Sequence, residues 1–247
     1  MRRSEDLTAL LHAWEYDEGR SVRRVRAKDG REVLQVRLPL GLEQYEFNGR
    51  PDGLKPEGEE SWLHYYKKKV QVFREEFVLT KSDCEKLQSE GVLYYYRYLL
   101  FFQLGEYALC TRDTQRNLRL LDFVGENADS ETAESLLQYR PYILRMNIMA
   151  RALQDVKDGG NKRAAIRKLE RGIEEIQGLT APGKSPIFDL ERERSVRSIE
   201  ELVRQFREQI PLSRRDRLRQ QMEEAISRED YEKAATLRDQ LRKISKR

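Results

Sequence analysis

Histidine, cysteine and proline are scarce in this chain: two, two and seven among 247 residues. With only His12 and His64 available, a metal cage would have to be built from carboxylates, and neither an HExxH helix nor an EF-hand loop occurs. No nucleophile stands at a telling spacing from either histidine, so no Ser-His-Asp or Cys-His arrangement is visible. We expect no catalytic residues, no metal and no cofactor. Cys84 and Cys110 form no CxxC pair and no disulfide framework, which suits a reducing compartment and two buried, inert thiols. Long apolar runs are also missing. The longest, Tyr94 to Phe102, is broken by Arg97 and falls far short of the roughly 20 residues that a membrane span needs. The start, Met1-Arg2-Arg3-Ser4-Glu5-Asp6, leads into few apolar residues before Glu15, Asp17 and Glu18, so we expect no secretory leader and a cytoplasmic protein.

Charge is what the chain has in quantity: 47 Lys plus Arg against 43 Asp plus Glu, 36% of all residues where about 25% is usual. With so little proline, this composition points to charge-laced helices and away from disorder. The excess is local. Arg214 to Arg247 holds 11 basic and 7 acidic residues, a surplus equal to the +4 of the whole chain. Interleaved acids make that a weak field beside a dedicated nucleic-acid stripe, and a solvated helical surface is its simplest reading.

Period-two patterning occurs once. Leu34, Val36, Leu38, Leu40 and Leu42 alternate with Gln35, Arg37, Pro39 and Gly41, and Asp29-Gly30 supplies a hairpin turn after Val22 and Val25. Pro39 places its strand at an edge or ends it, Tyr45 and Phe47 continue as a third strand, and Asn48 to Gly53 is a dense turn cluster. So small a sheet must lean on a helix. From about Ser61 onward the pattern is helical, with helices at roughly 82–104, 106–125, 130–157 and 161–178 broken at Gly105 and at Gly159-Gly160. Gly172 marks a close helix crossing. Leu179 to Phe188 reads as a linker, and Val196, Ile199, Val203, Phe206 and Ile210, spaced 3, 4, 3 and 4, make a one-sided stripe that wants a partner. The fold class is α+β, predominantly α: a small N-terminal antiparallel sheet (1–60), a helical-hairpin body (61–188), a linking amphipathic helix (189–212) and a C-terminal antiparallel two-helix hairpin (213–247).

Phe101-x-x-Leu104-Gly105-x-x-Ala108 and the Gly160/Gly172 spacing are similar to tetratricopeptide-type helical hairpins, although the units run nearer 55 residues than 34. Gly178 to Ser185 matches GxxxxGKS, the phosphate-binding loop pattern. Its context argues coincidence: the preceding segment reads as a helix where a buried strand is required, and Pro186 removes an N–H from the turn. The aromatic run 94–102 could stack bases or grip a peptide. Core packing between helices explains it more simply.

The tail carries the specific pattern. Leu218, Met222, Ala225 and Ile226 form one apolar face; Ala234, Leu237, Leu241 and Ile244 form another, across a turn Ser227-Arg228-Glu229-Asp230. Ser227 with Asp230 three residues on resembles a capping box, and Ala225, Ala234 and Ala235 let two helices approach closely. Two helices of about 15 residues bury too little to be stable alone, so the hairpin needs covering. The run Glu229-Asp230-Tyr231-Glu232-Lys233-Ala234-Ala235-Thr236-Leu237-Arg238-Asp239 resembles the UVR motif of UvrB, UvrC and regulators of Clp proteases. The likeness covers Arg214 to Arg247. It implies protein-protein contact, either with another UVR hairpin, as in a homodimer, or with a partner such as a Clp-type ATPase or a UvrA/UvrB/UvrC-like component. On that basis Met222, Tyr231, Leu237 and Leu241 are expected to make the apolar contact, with Arg238 and Asp239 setting register. The zinc-binding cysteine clusters of the Clp-linked regulators and the helicase motifs of UvrB are missing, so both pathways stay open. Gly49 to Gly53 followed by Glu60-Ser61-x-Leu63-x-Tyr65-Tyr66 is similar to a stretch in bacterial UVR-tailed proteins. The expected function is a non-enzymatic adaptor; the alternative is nucleic-acid binding in DNA repair through the basic tail with Arg23-Arg24-x-Arg26 and Lys67-Lys68-Lys69.

Overall fold

A computed structural model describes residues 6–73, 77–210 and 214–245. Met1 to Glu5, on which the expectation of no leader partly rests, lie outside these, as does the side chain of Ile244. The architecture is α+β and predominantly α: one three-stranded antiparallel sheet near the N-terminus, followed by helices. The chain divides into two units, Met1–Leu202 and Val203–Arg247. Among the described residues no helix is long and apolar enough to cross a membrane.

In the first unit a short helix α1 (Thr8–Ala13) precedes strands β1 (Val22–Arg26), β2 (Glu32–Leu38) and β3 (Gly41–Glu46), which pair in the order β1-β2-β3. Leu34 lies opposite Tyr45 and Arg24, so the register puts Leu34 and Tyr45 on one face, with Phe47 just beyond. That face packs on Tyr98, Phe101, Cys110, Met146 and Ala150, and the sheet leans on helices as so few strands require. The period-two run does not continue past Leu38. Pro39 ends the strand there, the chain reverses, and Leu40 at the turn is 92% exposed. The opposite face of β2 buries Arg37, whose guanidinium donates to the carbonyls of Trp14 (2.7 Å) and Leu11 (3.4 Å) and so ties α1 to the sheet.

The helical part of this unit comprises α2 (Trp62–Phe73), α3 (Lys81–Gln103), α4 (Tyr107–Asn127), α5 (Ser130–Leu137), α6 (Arg140–Lys157), α7 (Lys162–Gln177) and the first part of α8 (Pro186–Glu208). α3 packs on α4, α4 on α6 and α6 on α7. The expected hairpins are present, and Gly105, at φ +71°, closes the first. There the Glu106 N–H reaches the Phe101 carbonyl (2.8 Å) and the Gly105 N–H that of Phe102 (3.1 Å), which satisfies carbonyls a helix end leaves open. α7 crosses α6 at Gly172, where a Cβ would stand 2.6 Å from Ile148 Cγ2. The helix expected over 130–157 is two helices. Pro141 has no N–H to give and its ring would clash with the carbonyl of residue 137, so α5 stops and α6 restarts with the proline in its first turn. The segment read as a linker to Phe188 is shorter: α8 begins at Pro186 and Phe188 is fully buried.

A buried ionic network joins sheet, turn cluster and helices. Arg97 is 1% exposed; its Nε and Nη2 donate to Asp113 at 2.7 and 2.9 Å, and its Nη1 donates to the carbonyls of Glu46 (2.8 Å) and Gly49 (2.9 Å). Arg112 donates to the Phe47 carbonyl and to Asn48, both at 2.9 Å. Glu90, also buried, pairs with Arg116, stands 3.4 Å from Arg50 and accepts from the N–H groups of Trp62 (2.7 Å) and Leu63 (3.3 Å) at the start of α2. A carboxylate from α3 thus satisfies donors that α2 cannot pair within itself.

The second unit holds the end of α8 and the helices α9 (Arg214–Ser227) and α10 (Tyr231–Ser245). The 196–210 stripe does not stand open: Ile199, Val203 and Phe206 are buried, and Leu202 beside them.

Candidate functional site

α9 and α10 form the antiparallel hairpin that the tail pattern requires. Its seam is built by Leu218 and Ala225 of α9 against Ala234 and Leu237 of α10, with Met222 and Leu241 half-buried alongside. Leu218, Met222 and Ala225 are spaced 4 and 3, and Ala234, Leu237 and Leu241 are spaced 3 and 4, so each set falls on one stripe of its helix. The alanines sit in the seam because a larger side chain would hold the helices apart.

The turn differs from the expected one. Ser227 belongs to α9 and donates its hydroxyl to the Glu224 carbonyl (2.8 Å); the cap of α10 is Asp230, whose carboxylate accepts from the Lys233 N–H at 3.1 Å. Asp230 wins the role because an N-cap must directly precede the first turn whose N–H groups it satisfies. Between the helices, the Asp230 N–H reaches the Ala225 carbonyl (2.9 Å) and the Glu229 N–H that of Ile226 (3.0 Å), with Glu229 at φ +59°. Glycine usually takes this left-handed position; here a glutamate does.

The candidate contact residues separate into two groups. Leu218, Ala225, Ala234 and Leu237 are enclosed by the hairpin itself, so Leu237 contributes to closing the seam and is not presented for contact. Ile226 does not join the α9 face predicted for it: it is 49% exposed, and Tyr231, the first residue of α10, is 68% exposed. These two large apolar side chains flank the turn. Ala235 is exposed, and Arg238 and Asp239 are exposed and pair loosely with each other at 3.4 Å.

Elsewhere, Ser185 of the GxxxxGKS pattern is buried, donates to Gln138 Oε1 (3.2 Å) and accepts from the Phe188 N–H at the start of α8. The pattern follows helix α7, Lys184 is exposed, and the Glu134 carboxylate lies against Gly183 of the loop, where it would repel phosphate. Cys84 and Cys110 are free and buried; burial pushes their thiols up to about 11 and about 12, so neither is a nucleophile near neutrality. His12 and His64 are exposed, and among the described residues no three His, Cys, Asp or Glu side chains gather in a metal-holding group.

Four residues of the two basic clusters are engaged within the fold, while Arg26 and Lys67 are exposed. Arg23 donates to Gln35 (2.8 Å) and stacks on Trp14, Arg24 pairs with Glu32 (2.5 Å), Lys68 pairs with Glu59 (2.7 Å) and Lys69 lies over the Tyr65 ring. In the aromatic run, Tyr94, Tyr98 and Phe101 are core residues and Tyr96 is half-exposed. Sequence reasoning missed Glu90, Arg97 and Asp113 as buried charges. For two of them the signal was there: Glu90 and Arg97 share one helical stripe with Tyr94 and Phe101.

Residues 213–247 match the family model of the UvrB/uvrC motif, whereas the body carries no family match. No curated protein and no solved structure matches the chain. The hairpin of α9 and α10, with its closed alanine-lined seam and its aromatic opening residue, is a UVR motif at the C-terminal end of an otherwise helical, sheet-capped chain.

Proposed function

We propose that the protein is a non-enzymatic, cytoplasmic interaction adaptor or regulator whose UVR hairpin is the contact element. One observation carries this reading: the hairpin closes its own seam and still leaves Ile226 and Tyr231 in water on either side of the turn. An exposed aromatic next to an aliphatic side chain, ringed by charge, is the composition of an interface anchor. The partner is a second UVR hairpin, from another copy of this chain or from a UvrA/UvrB/UvrC-like component, or else a Clp-type ATPase.

Deletion of residues 214–247 tests the proposal. Sedimentation should show any self-association of the full chain lost in the shortened one, and capture from native lysate should lose its partner, while the first unit melts nearly unchanged. Equal association by both chains would refute the hairpin's role.

A further inference from the structure

A cavity of about 400 Å³ opens within the first unit between α3, α4, α5, α6 and the start of α8. Its wall is dominated by tyrosine: Tyr95, Tyr96 and Tyr98 from α3, Tyr142 from α6 and Tyr139 from the junction before it. Tyr95 is the hub, with its ring centroid 5.2 Å from that of Tyr96, 5.6 Å from Tyr98 and 5.8 Å from Tyr142. Among the described residues that line the cavity, Glu191 of α8 is the one with a formal charge at neutral pH, and no lysine, arginine or histidine lines it. In a chain with 47 basic residues, a cavity of this size without a cation in its wall is distinctive.

The lining selects by charge. Aromatic faces carry a negative quadrupole that attracts cations, and Glu191 adds a full negative charge at the same opening. An anionic ligand would meet repulsion from both. A purely apolar ligand would strip water from the Glu191 carboxylate without replacing it. One of these rings already serves as a cation acceptor: the Arg145 guanidinium lies 4.5 Å from the Tyr142 centroid, and its Nη1 is held by Ser198 at 3.0 Å. The Arg194 guanidinium that stands 3.5 Å from Glu191 is largely exposed, so it forms a weak, displaceable pair. The volume lies in the range of small-molecule sites.

We propose that this cavity binds an organic monocation: an alkylated ammonium or guanidinium head on an apolar stem. The head sits against the rings of Tyr95 and Tyr96, with Glu191 as counter-ion, and the stem fills the remaining apolar space beside Tyr142, whose ring already carries the Arg145 guanidinium. The cavity lies wholly in the first unit, so failure of this inference leaves the reading of the hairpin standing, and failure of the hairpin reading leaves this one.

The test is a titration of the full chain, followed by NMR, with phenyltrimethylammonium and with its neutral carbon isostere tert-butylbenzene. The cation should bind about tenfold more tightly than the isostere, as a desolvated cation–π site predicts. Glu191→Gln and Tyr96→Leu, both at partly or largely exposed positions, should each weaken the cation about fivefold or more without shifting the melting temperature. A third arm offers trimethyl-lysine within a short peptide. Tighter binding than the free cation assigns the head group to a polypeptide, and equal or weaker binding assigns it to a small molecule. No saturable binding at millimolar cation, equal binding of the isostere, or both variants binding like the parent would overturn the proposal.

Discussion

Replacing Ile226 and Tyr231 together by serine should uncouple association from folding. An aromatic side chain covers about 150–250 Å² on burial. With 68% of Tyr231 still open, roughly 130 Å² remains to be covered by a partner, about 3 kcal/mol at ~25 cal/mol/Å². Ile226 is half covered already and adds about 1 kcal/mol. Ordering the two side chains takes back roughly 1 kcal/mol, which leaves about 3 kcal/mol, or a Kd weakened about a hundredfold. The fold should hardly notice, because exposed substitutions usually stay within about 0.5 kcal/mol. Leu237→Ala is the contrast: it hollows the seam at a cost of about 2–5 kcal/mol, so helicity and association should fall together. The assay is the association that the full chain is expected to show and the chain without residues 214–247 to lose, measured beside the helical circular-dichroism signal of each variant. If the double-serine variant binds within threefold of the parent, the exposed pair is not the contact surface and the argument fails.

Arg97→Met should destabilise the first unit by about 3–5 kcal/mol, because it strands the buried Asp113 carboxylate and the Glu46 and Gly49 carbonyls; a melting temperature lowered by less than about 4 °C would contradict this. Glu229→Gly should stabilise the hairpin by up to about 1 kcal/mol by relieving a left-handed glutamate, which slower amide exchange across α9 and α10 would register and unchanged exchange would deny. The buried thiols should make stability fall at alkaline pH. Their folded pKa values lie above the unfolded value of 9.0, so the native state keeps protons that the unfolded chain releases, and stability present below pH 9 is lost upward toward about 11 for Cys84 and about 12 for Cys110. Between pH 8 and pH 10 the parent should lose about 1 kcal/mol per thiol more than the Cys84→Ala/Cys110→Ala variant, as read from denaturant melts; parallel losses would refute it. Nucleic-acid affinity should be weak, since the basic residues of 214–247 are interleaved with seven acidic ones and Arg23, Arg24, Lys68 and Lys69 already have partners in the fold. A steep salt-dependent affinity in a binding titration would revive the alternative.

The sequence by itself determined the kinds of element and their punctuation. Alternation over Leu34 to Leu38 and the Asp29-Gly30 turn specify strands, Gly105 and Gly159 stop helices, and Gly172 marks a crossing that admits no Cβ. The tail pattern specifies a UVR hairpin with Ala225 and Ala234 in its seam, whereas Ala235, read with them, lies exposed. These features are local, set by backbone sterics and by which side of an element is apolar, so neighbouring residues suffice to read them.

Tertiary structure alone decided which polar groups leave water and which apolar ones stay in it. Arg97 reads as one more charge on a charged chain until Asp113, 16 positions on, and the carbonyl of Glu46, 51 positions back, converge on it. The 196–210 stripe looks unpartnered in sequence and is largely buried in the fold; Ile226 looks like seam and lies outside it. The tyrosines at 95, 96, 139 and 142 share a cavity only because α3 and α6 come together across α4. In each case a one-dimensional pattern states that a face is apolar or charged, but what covers that face depends on a segment distant in the chain, whose position is settled by packing and by the high cost of leaving a buried charge unpaired.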